Sequence, residues 1–260
     1  MKKKKPILYN KKNIKVLKKE LKNENFKRIT ISFYKYVFVE DTSSFRNNLF
    51  IKLNNLNVLG RIYISVEGIN AQINIPEHYY DDFISLILSF GFLGKVNFKK
   101  AIIEGNSFYK LTIKVRKELV AYGIPKDSYD MNKVGKHLNA DQYNQAIKNP
   151  ESIIVDMRNY YESEIGRFEN AIIPNVETSK ELLPEVKRVL KGKEKKQVLL
   201  YCTGGIRCEK ASSYLIKNGF KDVNQLSGGI IQYAHEVREK KIKSLFIGKN
   251  FVFDNRLGER

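Results

Sequence analysis

A cysteine at the end of an apolar run is followed by two glycines and an arginine, a spacing that suits thiol chemistry. The apolar residues 198–201 predict a strand, and Cys202 follows it directly. The two glycines let backbone N–H groups turn towards the sulfur, and a helix predicted to begin at Glu209 adds its positive dipole end. Such donors, together with Arg207, lower the pKa of a thiol and favour the nucleophilic thiolate.

The number of residues between the cysteine and the arginine separates two chemistries that share this design. Cysteine-dependent phosphatases place five residues between the two, in a loop wide enough for a phosphate. Here four residues, 203–206, intervene, and the loop is therefore too small for a phosphoryl group. The hexapeptide Cys-Thr-Gly-Gly-Ile-Arg instead resembles the active loop of single-domain rhodaneses, whose cysteine carries a persulfide during sulfur transfer.

We predict that Cys202 is the catalytic residue and that the five residues after it form a cradle for its anion. Arg207 has two alternative roles: it stabilises that anion, or it pairs with Asp156 or Glu162 as a structural brace. Asp156 and Glu162 are accordingly predicted to support the loop, and Asp156 to order it rather than to move protons. The three histidines lie far apart on unlike elements, so no metal site is predicted. The predicted cradle residues are Thr203, Gly204, Gly205, Ile206 and Arg207.

The composition limits the class of protein. The chain has 260 residues, enough for two modest domains, and 42% of them are hydrophobic. Its apolar stretches are too short to span a membrane, and the lysine-rich start lacks the apolar core of a signal peptide. The 2 cysteines, Cys202 and Cys208, provide no disulfide framework, so we expect a cytoplasmic location.

The formal net charge of +19 suggests a polyanionic partner. Residues 1–28 form a basic lead-in with twelve Lys or Arg and two Glu, a local net of 12 − 2 = +10. Such a segment favours an RNA or DNA backbone as the partner. The alternative is a codon bias from an AT-rich genome, since 36 lysines stand against 11 arginines.

Residues 29–118 predict an α+β domain of the ferredoxin-like or acylphosphatase-like kind, with helices on one face of an antiparallel sheet. Predicted strands cover 29–39, 60–66, 70–75, 96–99 and 111–115, predicted helices cover 42–56 and 76–90, and a further helix is predicted over 11–22 in the basic lead-in. Strand alternation turns only half of the aromatic residues outwards, where they bind RNA by stacking. The alternative is that most of these rings fill the core and the contacts between domains. The aromatic residues in question are Phe33, Tyr34, Tyr36, Phe38 and Tyr63.

The second half predicts an α/β domain with a central parallel sheet. Residues 119–134 contain Gly, Pro and Asp with few apolar residues, which is typical of a linker. The run 153–155 predicts a buried parallel strand that ends in charge, next to the strand that precedes Cys202. We therefore predict a rhodanese domain over 135–244 and a C-terminal tail over 245–260.

Several motifs together resemble one family, the bacterial rhodanese-related tRNA uridine hydroxylases. The rhodanese-like motifs are Asp-Met-Arg at 156–158, the cysteine loop, and Leu-Ser-Gly-Gly-Ile at 226–230. The family-like motifs are Ile-Ser-Phe-Tyr-Lys-Tyr at 31–36, Glu-Gly-Ile-Asn-Ala-Gln at 67–72, and Phe-Ile-Gly-Lys-Asn-Phe-Val-Phe-Asp at 246–254. The resemblance implies oxygen-dependent formation of 5-hydroxyuridine at the wobble position of tRNA.

The resemblance also implies the partners of the reaction. It implies the anticodon arm of tRNA as substrate, molecular oxygen as co-substrate and an unidentified reductant, while the sequence shows no flavin or dinucleotide fingerprint. Members of the family often continue into a cysteine-rich segment, which this sequence lacks. Two alternatives are a rhodanese-type sulfurtransferase with a persulfide on Cys202 and a tRNA-binding protein without catalysis.

Overall fold

The computed structural model describes residues 8–10, 12–103, 105, 107–254, 256 and 258. The chain divides into two compact units, the first ending at Leu119 and the second beginning at Val120, with Asp254 and Arg256 assigned to the first. Part of the basic lead-in, residues 1–7 and Lys11, lies outside the described residues.

The first unit is an α+β sandwich. Its five-stranded sheet has the order β4-β1-β3-β2-β5, in which β2 and β5 are parallel and the other pairs are antiparallel. The strands are β1 (Arg28–Tyr36), β2 (Leu59–Ser65), β3 (Gly68–Pro76), β4 (Lys99–Lys100) and β5 (Leu111–Val115). The helices are α1 (Ile14–Lys22), α2 (Thr42–Asn55) and α3 (Tyr80–Leu88). The predicted strand 96–99 is wrong, since pairing with β1 begins at Lys99.

Alternation along β1 separates the aromatic residues by face. Phe33 is buried in the hydrophobic core, together with apolar residues of α2 and α3. Tyr34 lies on the opposite face of the sheet with Tyr36 and Tyr63, and all three are half-buried. Phe38 is exposed and lies beyond the end of β1, because the strand is shorter than predicted.

The second unit is an α/β domain with a parallel sheet of order β6-β10-β9-β7. Hydrophobic residues pack against both faces of this sheet, as the nearly continuous apolar strands predict. Its strands are β6 (Lys136–Leu138), β7 (Ile153–Asp156), β9 (Gln197–Tyr201) and β10 (Asp222–Leu226), and β8 (Gly166–Phe168) pairs separately with β11 (Phe246–Gly248). Its helices are α4 (Ala140–Ile147), α5 (Tyr160–Glu164), α6 (Ser179–Val189), α7 (Ile206–Lys217) and α8 (Gly229–Lys240).

Two segments differ from the sequence-based expectation. The predicted linker 119–134 contributes to the second unit, because Val120 and Tyr122 are buried in one of its hydrophobic cores. The predicted tail is also partly ordered on that unit, since β11 pairs antiparallel with β8. No helix of the described residues is long and apolar enough to cross a membrane.

Candidate active site: the cysteine loop after β9

Cys202 lies directly after β9, at the carboxyl end of the central parallel sheet. Gly205 has a φ of +97°, a conformation that favours glycine, and this turn starts α7 at Ile206. The turn brings the Gly205 N–H within 3.1 Å of the Cys202 Sγ. The predicted helix start at Glu209 is therefore wrong, because the glycine turn lets the helix begin earlier and include Arg207 in its first turn.

Hydrogen bonds and charge lower the pKa of Cys202 in spite of its burial. Burial alone raises the pKa of this fully buried thiol. Three effects outweigh burial and lower the pKa of Cys202 to about 6: the hydrogen bond with the Cys208 side chain, the Arg207 charge, and the backbone N–H groups of both residues. A pKa near 6 favours the thiolate form of Cys202 at neutral pH.

Cys208 is the opposite kind of thiol. It is fully buried in the hydrophobic core beneath the loop. Burial, followed by its hydrogen bond with Cys202 and the charge of Cys202, raises the pKa of the Cys208 thiol well above its usual value. Cys208 therefore stays protonated and donates to the Cys202 thiolate.

Arg207 is held by Glu162. Its two terminal nitrogens donate to the two carboxylate oxygens of Glu162 at 2.6 and 2.8 Å, and one of them also lies 3.2 Å from the Thr203 hydroxyl. Glu162 is fully buried and Arg207 is nearly so. Of the two roles predicted for Arg207, the structural brace is present, with Glu162 rather than Asp156 as the partner. The Arg207 charge also lowers the pKa of the nearby Cys202 thiol.

Asp156 supports the site through a different arginine. Its carboxylate accepts hydrogen bonds from the Arg158 guanidinium at 2.7 and 2.9 Å, and both side chains are fully buried. Arg158 in turn donates to the carbonyl oxygens of Glu162 and Gly166, and Ser163 donates to Asp156 at 2.8 Å. The pair therefore fixes α5, which carries Glu162. The sequence analysis assigned no role to Arg158.

The start of α8 packs against the backbone of the loop. The N–H groups of Ile230 and Ile231 donate to the carbonyl oxygens of Cys202 and Thr203 at 3.0 and 3.2 Å. Gly229 has a φ of +70°, and a Cβ placed on it would lie 2.5 Å from the Cys202 oxygen. The second glycine of the Gly228-Gly229 motif is therefore required by close backbone contact.

Gly204 marks the accessible side of the loop. A Cβ added to Gly204 would have no heavy atom within 4 Å, whereas Thr203 and the Cys202 thiol are buried. Open space therefore lies beside the loop at Gly204, while the Cys202 side chain itself is fully buried. Of the five predicted cradle residues, Gly205 donates its N–H to the sulfur and Arg207 adds its charge and a backbone hydrogen bond, and the catalytic role of the cradle stays a prediction.

Tyr122 is a site residue that the sequence analysis missed. Its hydroxyl donates to the Arg207 carbonyl oxygen at 3.0 Å. Burial, and then the neighbouring Cys208, raise the pKa of the Tyr122 hydroxyl well above its usual value, so it remains a donor. Tyr122 lies in the segment predicted as a linker, and no pattern in the sequence connects it with the loop.

As for metals, the described residues include no group of three or more His, Cys, Asp or Glu side chains that would hold an ion.

Comparison with known proteins assigns both domains. Residues 28–119 match the UPF0176 acylphosphatase like domain, and residues 139–236 match the Rhodanese-like domain. The tRNA uridine(34) hydroxylase of Leptospira interrogans is 51% identical over 245 residues, which are 94% of this chain and 67% of that protein. The protein of the same name from Yersinia pestis is 48% identical over 257 residues, or 98% of this chain and 72% of that protein.

The chain belongs to the tRNA uridine(34) hydroxylase family. The resemblance predicted from the sequence motifs is thereby confirmed, as are the acylphosphatase-like and rhodanese folds of the two domains. Solved structures similar to this member of the tRNA uridine(34) hydroxylase family include a rhodanese-like domain from Anabaena and a single domain sulfurtransferase from Saccharomyces cerevisiae. The first is 17% identical with a TM-score of 0.34 and covers 43% of this chain and 78% of its own. The second is 18% identical with a TM-score of 0.33 and covers 43% and 98%.

Proposed function

We propose that this protein hydroxylates uridine 34, the wobble uridine of tRNA, at C5 to give 5-hydroxyuridine. The observation that carries the proposal is the 48% identity with a tRNA uridine(34) hydroxylase across 98% of this chain, a match that includes both domains. The loop supports it, since the Gly205 N–H lies 3.1 Å from the Cys202 sulfur and the neighbouring donors lower the pKa of that thiol to about 6. The chain is therefore a tRNA-modifying oxidoreductase.

The proposed reaction uses molecular oxygen and a two-electron reductant. One oxygen atom enters the C5–H bond of uridine, and the other leaves as water after the uptake of two electrons and two protons. Oxygen at the peroxide level is electrophilic, so the uracil ring has to supply electrons at C5. The reductant is of a class that delivers both electrons before oxygen is transferred.

Cys202 makes C5 electron-rich by adding to the adjacent carbon. C6 of uracil is electrophilic because its double bond is conjugated with the C4 carbonyl, and a thiolate is the nucleophile suited to it. Addition at C6 moves the electron pair of the double bond towards C5 and the C4 oxygen. C5 then attacks one oxygen of the peroxide, the O–O bond breaks, and the second oxygen leaves as hydroxide, which is protonated to water. Loss of the C5 proton with departure of the Cys202 thiolate restores the double bond.

The charge of the chain supports a polyanionic substrate. A net charge of +19 favours tRNA, and we place the anticodon arm, which carries uridine 34, at the cysteine loop. The cytoplasmic location expected from the sequence accords with such a substrate and stays a prediction.

A sulfurtransferase is the second candidate, and the matched rhodanese-like domain with its thiolate loop favours it. The two functions differ in product. Thiocyanate formation from thiosulfate and cyanide that disappears in Cys202→Ala, without any change in tRNA, would establish sulfur transfer instead.

Deletion of the gene tests the proposed function. In an organism without a second pathway, mass spectrometry of bulk tRNA nucleosides is expected to show the loss of 5-hydroxyuridine and its derivatives. Restoration by the wild-type gene completes the experiment. Undiminished 5-hydroxyuridine in the deletion strain would reject the proposal.

A further inference from the structure

The exposed hydrophobic side chains of the second unit gather in one place. Among the described residues of that unit, the exposed large hydrophobic side chains are Tyr160, Tyr161, Ile165 and Ile247. Three of them belong to α5 or follow it directly, and the fourth lies in β11. We call these four residues, together with Phe251 and Phe253, the aromatic patch. Exposed apolar surface that is clustered rather than scattered indicates a binding site.

Backbone pairing holds the two halves of the patch together. β8 and β11 place Arg167 opposite Ile247, and the Lys249 N–H donates to the Ile165 carbonyl oxygen at 2.7 Å. Gly248 has a φ of +88°, and a Cβ on it would lie 2.3 Å from the same Ile165 oxygen. Gly248 of the Phe-Ile-Gly-Lys motif is thus required for this close approach.

Tyr161 is oriented by its neighbours and remains accessible. Its ring makes edge contacts with Phe251 and Phe253 at centroid distances of 5.6 and 6.5 Å, and those two rings lie 5.0 Å apart. Its hydroxyl accepts a hydrogen bond from Asn159 at 3.0 Å. Tyr161 is nevertheless 40% exposed. A ring that is held by its neighbours and remains partly exposed is available for stacking.

The aromatic patch adjoins the cysteine loop through one helix. The residue after Tyr161 is Glu162, whose carboxylate holds Arg207 of the loop at 2.6 and 2.8 Å. Two exposed cations, Arg167 and Lys249, flank the patch, while Glu164 is the exposed carboxylate of α5. Single-stranded RNA binds to surfaces on which aromatic rings lie next to cations, because its unstacked bases stack on the rings and its phosphates contact the cations.

We propose that the aromatic patch stacks an unpaired base of the anticodon loop next to uridine 34, with Tyr161 as the principal ring. This inference rests on the proposed function, because that function supplies the RNA loop. The patch holds the neighbour of the reacting base, so that uridine 34 is placed at the cysteine loop. Arg167 and Lys249 contact the adjoining phosphates.

The absence of tryptophan from the sequence permits a direct test. Tyr161→Trp introduces a single tryptophan, and we expect its fluorescence to be quenched when an unmodified anticodon stem-loop RNA is added to the full chain. Ile51→Trp, at an exposed position on α2 in the first unit, is the matched control and is expected not to respond. Tyr161→Ala is expected to weaken binding of the RNA about 10-fold or more, and Tyr161→Phe to retain it.

The readouts separate this proposal from the proposed function. Binding is measured in the Cys202→Ser background, so it requires no hydroxylation. Separate Tyr161 variants that retain Cys202 are expected to be alkylated at the wild-type rate, which shows that the loop is intact. RNA affinity unchanged by Tyr161→Ala would overturn the role of the patch even if wild-type protein forms 5-hydroxyuridine. Tryptophan fluorescence that depends on protein concentration but not on RNA would overturn it in favour of a contact between copies of the chain.

Discussion

The charge of Arg207 is predicted to set the reactivity of Cys202. Burial raises the pKa of Cys202, yet the donors around it lower the pKa from an ordinary 9.0 to about 6, a net stabilisation of the thiolate by roughly 4 kcal/mol that remains after the cost of burial. Arg207 supplies the positive charge among these donors. Replacing it with methionine is therefore expected to raise the pKa of Cys202 by about one unit or more.

A matched pair of variants isolates that charge. Arg207→Met leaves the buried Glu162 carboxylate without its partner, which costs about 3–5 kcal/mol and adds a negative charge near the thiolate. The double variant Arg207→Met/Glu162→Gln removes both charges. We expect the pKa of Cys202 to rise most in the single variant and less in the double one.

The assay is the rate of alkylation of Cys202 by iodoacetamide as a function of pH, with peptide mass spectrometry to distinguish it from Cys208. The wild-type rate is expected to reach half its maximum near pH 6, where the pKa of Cys202 lies. Both thiols are buried, and Cys208 is expected not to react because its raised pKa keeps it protonated. A wild-type midpoint near the usual thiol pKa, or a midpoint that Arg207→Met leaves in place, would refute this reasoning.

Three further predictions concern stability and the loop. The pKa of Cys202 is lower in the folded protein, so the wild type should gain stability relative to Cys202→Ser as pH rises from about 6 to 9. This stability is lost as pH falls through 6, and denaturant unfolding at several pH values measures it. Gly229→Ala should distort the loop and slow alkylation of Cys202, because its Cβ would lie 2.5 Å from the Cys202 oxygen, whereas Gly204→Ala, whose Cβ would meet no heavy atom within 4 Å, should leave that rate unchanged, as rate assays of both variants would show. Tyr122→Phe should cost about 1 kcal/mol of unfolding free energy in thermal denaturation, since the Arg207 carbonyl loses its donor.

The sequence predicts what local spacing determines. The apolar run, the two glycines and the arginine place a thiolate at the end of a buried strand, and Cys202 lies there. The helix start at Ile206 was harder to predict, because it depends on the left-handed turn at Gly205 rather than on side-chain periodicity. Residues 96–98 show a strand-like composition, but only their neighbour Lys99 pairs with β1.

Contacts between distant segments could not be predicted from the sequence. Asp156, Glu162 and Arg207 form no fixed pattern of spacing, so either carboxylate was a suitable partner for the arginine. In the structure the Arg158 guanidinium binds the Asp156 carboxylate, and Arg207 of the loop therefore pairs with Glu162. Tyr122 reaches the same loop from a Gly- and Pro-containing segment whose composition indicates a linker. Such packing depends on the tertiary fold.

The most direct test of the central claim is complementation under oxygen gas that is labelled with a heavy oxygen isotope. Wild-type and Cys202→Ser proteins are expressed in a bacterial strain that makes no 5-hydroxyuridine of its own, and tRNA nucleosides are analysed by mass spectrometry. We predict 5-hydroxyuridine that carries the heavy oxygen isotope in the wild type and none in Cys202→Ser. Equal amounts with both proteins, or none with the wild type, would contradict the account.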